Sequence, residues 1–167
     1  MKKLVIYYSL TGNSKMLAEL FKEKGYEVRE VVRKKKLPKS FFFSVFTGGF
    51  LAGINHKDKL KDYNPDISEY DEVVIISPIW NGRFSSPINT VLASTDFSNK
   101  KLTFLFASGS GEGEKALKRI KKEYPDAQVL FLKEPKKHQE DFGEPRLFGG
   151  HAHGEHAAHA PNPAGER

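Results

Sequence analysis

Lys3-Leu4-Val5-Ile6-Tyr7-Tyr8-Ser9-Leu10-Thr11-Gly12-Asn13-Ser14 runs from a continuous apolar stretch into a turn rich in hydroxyl groups. The apolar part shows no polar alternation, which predicts a strand over residues 3–8 buried on both faces. Immediately after it, Met16, Leu17, Leu20 and Phe21 recur at the spacing of one helix face and Gly25 supplies a terminator, so a helix is predicted over Asn13 to Glu23. The turn between strand and helix lies where free backbone N–H groups and the positive end of a helix dipole receive an anion. Ser9, Thr11 and Ser14 offer hydroxyl donors, Gly12 permits an unusual backbone angle or a close approach, and Asn13 can bond back across the turn. Leu10 completes this candidate loop. Neither a G-x-x-x-x-G-K-[ST] nor a G-x-G-x-x-G pattern occurs, which points away from triphosphates and dinucleotides and toward a monophosphate. An ordinary capped helix start is the alternative, since Ser, Thr and Asn favour that place anyway.

Four further apolar runs read as strands: Tyr26 to Val32, Glu72 to Ser77, Lys101 to Ala107 and Ala127 to Leu132. Helices are predicted over Glu114 to Tyr124, with Ala116, Leu117 and Ile120 on one face, and over Pro87 to Ser94, with Pro87 starting it. Strand alternating with helix predicts a doubly wound α/β sandwich. In the long connection before the third strand, Phe42, Phe46 and Phe50 are spaced i, i+4, i+8 within Phe41 to Ile54. They predict an amphipathic helix packed on the sheet, with interfacial membrane binding or a dimer contact as alternatives given the basic flanks. After Leu132 only Lys136 to Phe142 remains before Gly143 and Pro145, so the last helix is expected to be short or displaced. Such a helix would leave part of a sheet face uncovered, and a homodimer could cover it.

The 167 residues suit one domain, and 38% hydrophobic against 29% charged residues allows a core while excluding an integral membrane protein. No apolar run approaches the ~18 residues of a membrane span, and the first one stops at Ser9 with no cleavage site behind it, so a cytoplasmic protein is expected. With no cysteine, disulfides, thiolate metal sites and cysteine nucleophiles are excluded, and any redox chemistry needs a bound cofactor. All 21 lysines precede residue 138, whereas Gly149 to Arg167 is mostly Ala, Gly, His and Pro. Residues 1–148 are read as the folded domain and 149–167 as a flexible, non-native tail or tag. His151, His153, His156 and His159 in that tail match no structural zinc spacing, and no metal site is assigned. The tail bears Glu155, Glu166 and Arg167, so a whole-chain net charge of +6 leaves +7 on the domain. Lys34 to Lys36 and Lys121-Lys122 lack interleaved aromatic residues, so no nucleic-acid partner is expected.

Two more loops follow predicted strands. Pro78-Ile79-Trp80-Asn81-Gly82 contains the only tryptophan, a candidate platform for a planar heterocycle or a packing residue of the sheet edge, and Arg83 follows as a possible anion-reading group or substrate contact. Ser108-Gly109-Ser110-Gly111-Glu112 opens the next helix and offers many backbone donors. In an open α/β sheet the ligand crevice lies outside the carboxyl ends of the strands, where all three loops fall.

With these three loops the sequence, over residues 1–142, resembles the flavodoxin-like family. Its phosphate loop matches Ser9, Leu10, Thr11, Gly12, Asn13 and Ser14, and its two flavin loops match Pro78 to Gly82 and Ser108 to Glu112. The resemblance implies a three-layer α/β sandwich with a five-stranded parallel sheet in the order 2-1-3-4-5. It implies FMN as cofactor, its phosphate on the first loop, its ring near Trp80 and its pyrimidine edge on the third loop. The flavin, rather than a catalytic side chain, would carry the chemistry. The expected function is electron transfer through FMN, with a redox partner protein. An NAD(P)H-dependent quinone or nitro-type reductase is the first alternative and a non-redox binding module on the same scaffold the second. Two departures bear on this choice. No aromatic residue occurs between Ser108 and Gly113, which implies an open flavin face, and the domain is basic where many flavodoxins are acidic. Pro78 to Arg83 is similar to the branch that includes flavin and quinone reductases.

Overall fold

The computed structural model describes residues 1–35, 47, 50, 51 and 54–137. Its elements in chain order are β1 (Lys3–Tyr7), α1 (Asn13–Glu23), β2 (Glu27–Glu30), β3 (Val32–Arg33), β4 (Leu60–Lys61), β5 (Glu72–Trp80), β6 (Arg83–Phe84), α2 (Ser86–Ser94), β7 (Lys101–Ser108), α3 (Glu114–Glu123) and β8 (Gln128–Lys133). The five long strands form one parallel sheet ordered β2-β1-β5-β7-β8, the expected 2-1-3-4-5 arrangement.

Period two along each strand sends neighbouring side chains to opposite layers. Leu4, Ile6, Val73, Ile75, Phe104 and Phe106 face one core, which α2 closes with Ile88, Val91 and Leu92 and α3 with Ala116 and Ile120. Val5, Tyr7, Val74, Ile76, Leu105 and Ala107 face the other, closed by Leu17, Ala18 and Phe21 of α1. Burial on both faces is why the strands read as unbroken apolar runs. The edge strand β8 is only half buried over Val129 to Phe131.

Two strands differ from the sequence-based expectation. The strand predicted over 26–32 divides, because Val31 donates to the Tyr7 carbonyl at 2.7 Å and the chain then leaves β1. β3 pairs instead with β4, antiparallel, as a separate two-stranded sheet. The strand predicted over 72–77 continues to Trp80, so Pro78, Ile79 and Trp80 are sheet residues rather than loop residues. Asn81 and Gly82 have φ of 51° and 72°, the left-handed pair of a two-residue hairpin turn, and they reverse the chain into β6.

At the neck of the long connection, Arg33 donates from Nη2 to Asp58 Oδ1 at 2.8 Å, with both side chains almost wholly buried. Asp58 Oδ2 accepts from Ser86 Oγ at 2.5 Å, tying the neck to the first turn of α2. Most of the phenylalanine-rich stretch lies outside the described residues, but Phe50, expected on the core-facing stripe, is 62% exposed. The packed stripe therefore does not extend to it. Residues 134–137 form a turn. The rest of the expected last helix and the whole tail lie outside the described residues. Among the described residues no helix is long and apolar enough to cross a membrane.

Candidate functional site

All three candidate loops emerge at the carboxyl end of the parallel sheet, after β1, around the β5–β6 hairpin, and after β7. In the first, Gly12 takes φ 88° as the residue before α1, a left-handed angle that favours glycine. Its N–H donates to Ser9 Oγ at 3.0 Å, and Asn13 Nδ2 donates to Thr11 Oγ1 at 3.0 Å. Ser9 and Thr11 therefore spend acceptor capacity inside the loop, which leaves their hydroxyl protons for an outside acceptor. No side chain caps α1, and its first turn carries no acidic residue. The Ser14 hydroxyl, in that turn, is buried and has no hydrogen-bond partner. An unfilled donor beside uncapped N–H groups at a positive helix end suits an anion. Leu10 supplies no polar group and packs partly on the core.

The third loop repeats this polarity. Glu112 N–H donates to Ser108 Oγ at 3.0 Å and to Ser110 Oγ at 3.3 Å, again using these oxygens as acceptors and leaving their protons free. A Cβ placed on Gly109 would meet nothing within 4 Å, so this loop is open on that side. Gly113 is the opposite case, since a Cβ there would stand 2.6 Å from Phe131 Cε1 and 3.0 Å from Ile79 Cδ1. Ile79, Asn81, Gly82, Ser108, Gly109 and Ser110 are among the residues lining a cleft of about 390 Å³ between the second and third loops. A larger cleft, about 810 Å³, lies at the opposite end of the sheet between Thr95–Leu102 and Glu123–Gln128, away from every loop just described.

Trp80 is 7% exposed and meets Tyr8 edge to face, with ring centroids 5.6 Å apart. The structure thus gives it the packing role, with little of the ring open for stacking. Burial raises the Tyr8 hydroxyl above its ordinary value, against the opposing pull of Arg33. Arg83 reaches Asn55 Oδ1 at 3.5 Å through Nη1, while its Nε is buried without a partner. It lies on the hairpin and is half-buried. Gly82 accepts from Ala116 N–H at 2.9 Å, so the hairpin is fastened to α3.

Sequence reasoning missed the lysines. Each left-handed glycine of the three loops has one against it: Lys136 over Gly12, Lys115 beside Gly82 at 3.8 Å from a Cβ position, and Lys133 beside Gly111 at 3.3 Å. Nothing in linear order announces the first, which is 123 residues away from its hydrogen-bond partner Asn13. The hairpin was readable, because Asn-Gly is the strongest short turn signal. Among the described residues no group of three or more His, Asp or Glu is placed to hold a metal ion.

A flavoprotein of Lactobacillus acidophilus, solved in complex with FMN, is similar to this chain at a TM-score of 0.63 and 21% identity, over 83% of this chain and 97% of that one. A structure from Bacteroides uniformis described as a flavoprotein matches at a TM-score of 0.67 and 24% identity, over 83% and 96%. At these identities the likeness concerns the fold. No curated protein matches the sequence. The flavodoxin family model matches residues 53–139, a little over half of the chain, including the second and third loops. By that match, and by a sheet and loop arrangement that agree with it, the chain belongs to the flavodoxin family.

Proposed function

We propose that this chain binds FMN at the carboxyl end of its sheet and mediates electron transfer through it. The observation that carries this reading is the start of α1, uncapped and free of acidic residues, with the buried Ser14 hydroxyl unpartnered beside it. When bound, FMN would supply the capacity to accept and release electrons. Ser9, Thr11 and Ser14 would donate to its phosphate, with the N–H groups at the start of α1 alongside. Ser108 and Ser110 have hydroxyl protons to give to carbonyl or ring-nitrogen acceptors, and the N–H groups of the third loop lie nearby. Leu10 and Ile79 would exclude water from the ligand's apolar surface. A cytoplasmic location and a single folded domain over residues 1–148 belong to the same reading.

A second reading, an NAD(P)H-dependent quinone or nitro-type reductase, is favoured by the open side of the third loop at Gly109, and lysines stand beside all three loops. Positive charge there suits a phosphate-bearing nucleotide donor as well as an acidic partner protein. The test is to load the protein with FMN and follow the visible flavin band without oxygen after adding NADPH and, separately, NADH. Rapid bleaching identifies a reductase. A band that dithionite bleaches and neither nucleotide does identifies a carrier charged by another protein. A chain that takes up no FMN leaves the non-redox binding module.

A further inference from the structure

The turn after β8 brings a cation to the first loop. Glu134 adopts φ 36° and donates its N–H to the Ser108 carbonyl at 2.9 Å, Pro135 is buried, and Lys137 N–H closes the turn on Glu134 at 2.7 Å. Lys136 is thereby held against the start of α1 at two points. Its backbone N–H donates to Asn13 Oδ1 at 3.0 Å and its Nζ to the Thr11 carbonyl at 3.1 Å. The side chain lies across Gly12, with Cε 3.0 Å from where a Cβ would stand. An ammonium group has three donors, and the Thr11 carbonyl takes one.

This is an unfavourable place for a cation in the absence of a ligand. The N-terminus of a helix repels positive charge, the first turn of α1 has no acidic residue to offset it, and Lys15 adds a second cation there. Among the described residues Lys136 forms no ion pair, whereas its neighbour Lys137 pairs with Glu134. The Lys136 ammonium, uncapped N–H groups and the buried, unpartnered Ser14 hydroxyl therefore meet at the start of α1, and an anion satisfies all of them.

We infer that Lys136 is a charged member of the phosphate subsite and sets the preference of this protein for the phosphorylated flavin over riboflavin. This inference rests on the FMN reading above. The Lys136 backbone N–H donates to Asn13 Oδ1, a bond that any substitution except proline preserves, so the side chain can be changed without releasing the turn.

The experiment measures the Kd of FMN and of riboflavin by quenching of flavin fluorescence, at low and high salt, for the wild type, Lys136→Met and Lys136→Arg. Circular dichroism confirms the fold of each. Lys136→Met is expected to weaken FMN about tenfold or more, as for loss of a charge-assisted hydrogen bond, with riboflavin unchanged and the salt dependence flatter. Lys136→Arg should recover most of the loss. Equal weakening of both flavins would show a structural clamp and overturn the inference, as would an unchanged FMN affinity. A wild type that binds neither flavin removes the FMN reading itself. Inorganic phosphate then decides about Lys136: amide shifts of Gly12, Asn13 and Ser14 on adding phosphate, lost in Lys136→Met, uphold the charged subsite, and their absence in the wild type removes it.

Discussion

Gly113 and Phe131 are packed so closely that a single methyl group between them, at 2.6 Å from Phe131 Cε1, has no room. Phe131 in turn stacks on Phe106 at 5.0 Å, so it cannot yield without disturbing the core. Gly113→Ala is expected to cost about 1–3 kcal/mol, the usual range for overpacking. It should also weaken FMN, since Gly113 joins the third loop to the first residue of α3. Urea unfolding and flavin titration of the variant check both effects.

Ser14→Ala separates stability from binding. The hydroxyl is buried with no partner, so its removal should leave the ligand-free protein as stable as before or slightly more so. FMN affinity should fall about tenfold, because the hydroxyl's bond to a phosphate oxygen is lost. A thermal melt without flavin and a titration with it give the two readings. A destabilised ligand-free variant would mean that the hydroxyl has an internal role instead.

Asp58→Ala removes the counter-charge of a buried guanidinium. Arg33 keeps its charge, and its Nε and Nη1 are already without partners, so the variant takes away the carboxylate that balances it. The expected loss is about 3–5 kcal/mol in urea unfolding. The double variant Arg33→Met, Asp58→Leu should recover much of it, because an apolar pair of similar volume avoids the cost of desolvating two charges.

All six tyrosines are raised by burial, and Tyr7 and Tyr70 are pushed up to about 12. After burial, Glu30 contributes most to the rise at Tyr7 and Glu27 at Tyr70. A folded pKa above the unfolded value of about 10 means that these phenols favour the fold fully below that pH. The contribution is lost as pH rises from about 10 through 12. At about pH 11 the folded protein should show much less tyrosinate absorbance than the urea-unfolded chain, and its urea midpoint should fall steadily above about pH 10.

The sheet was legible because its strands are buried on both faces, so Leu4 to Tyr8, Val73 to Ile76 and Phe104 to Phe106 stand out as unbroken apolar runs. The first loop was legible because one strand and one helix flank it in the sequence. What escaped reading depends on contacts between distant segments. Trp80 could be read from the sequence as a ring platform or as a packing residue, and only the hairpin at Asn81 and Gly82, which folds it against Tyr8, decides for packing. Val32 looked continuous with β2, yet its partner is Lys61. Lys136 followed a strand with no motif around it, and only the turn at Glu134 carries it to Asn13.

The short β3–β4 ladder has a further meaning for how this protein can vary. Arg33 of β3 and Leu60 of β4 are direct partners, with the Arg33–Asp58 pair bolted across the same point. The connection between the two strands thus begins and ends at a closed ladder, and its returning end is also held by Asn55 against Arg83 and by the His56 carbonyl, which accepts from Asn89. Doubling the length of such an excursion costs only about 0.6 kcal/mol of closure entropy. The ladder fixes both ends of the connection, so a change in its length can be absorbed without parting β3 from β4.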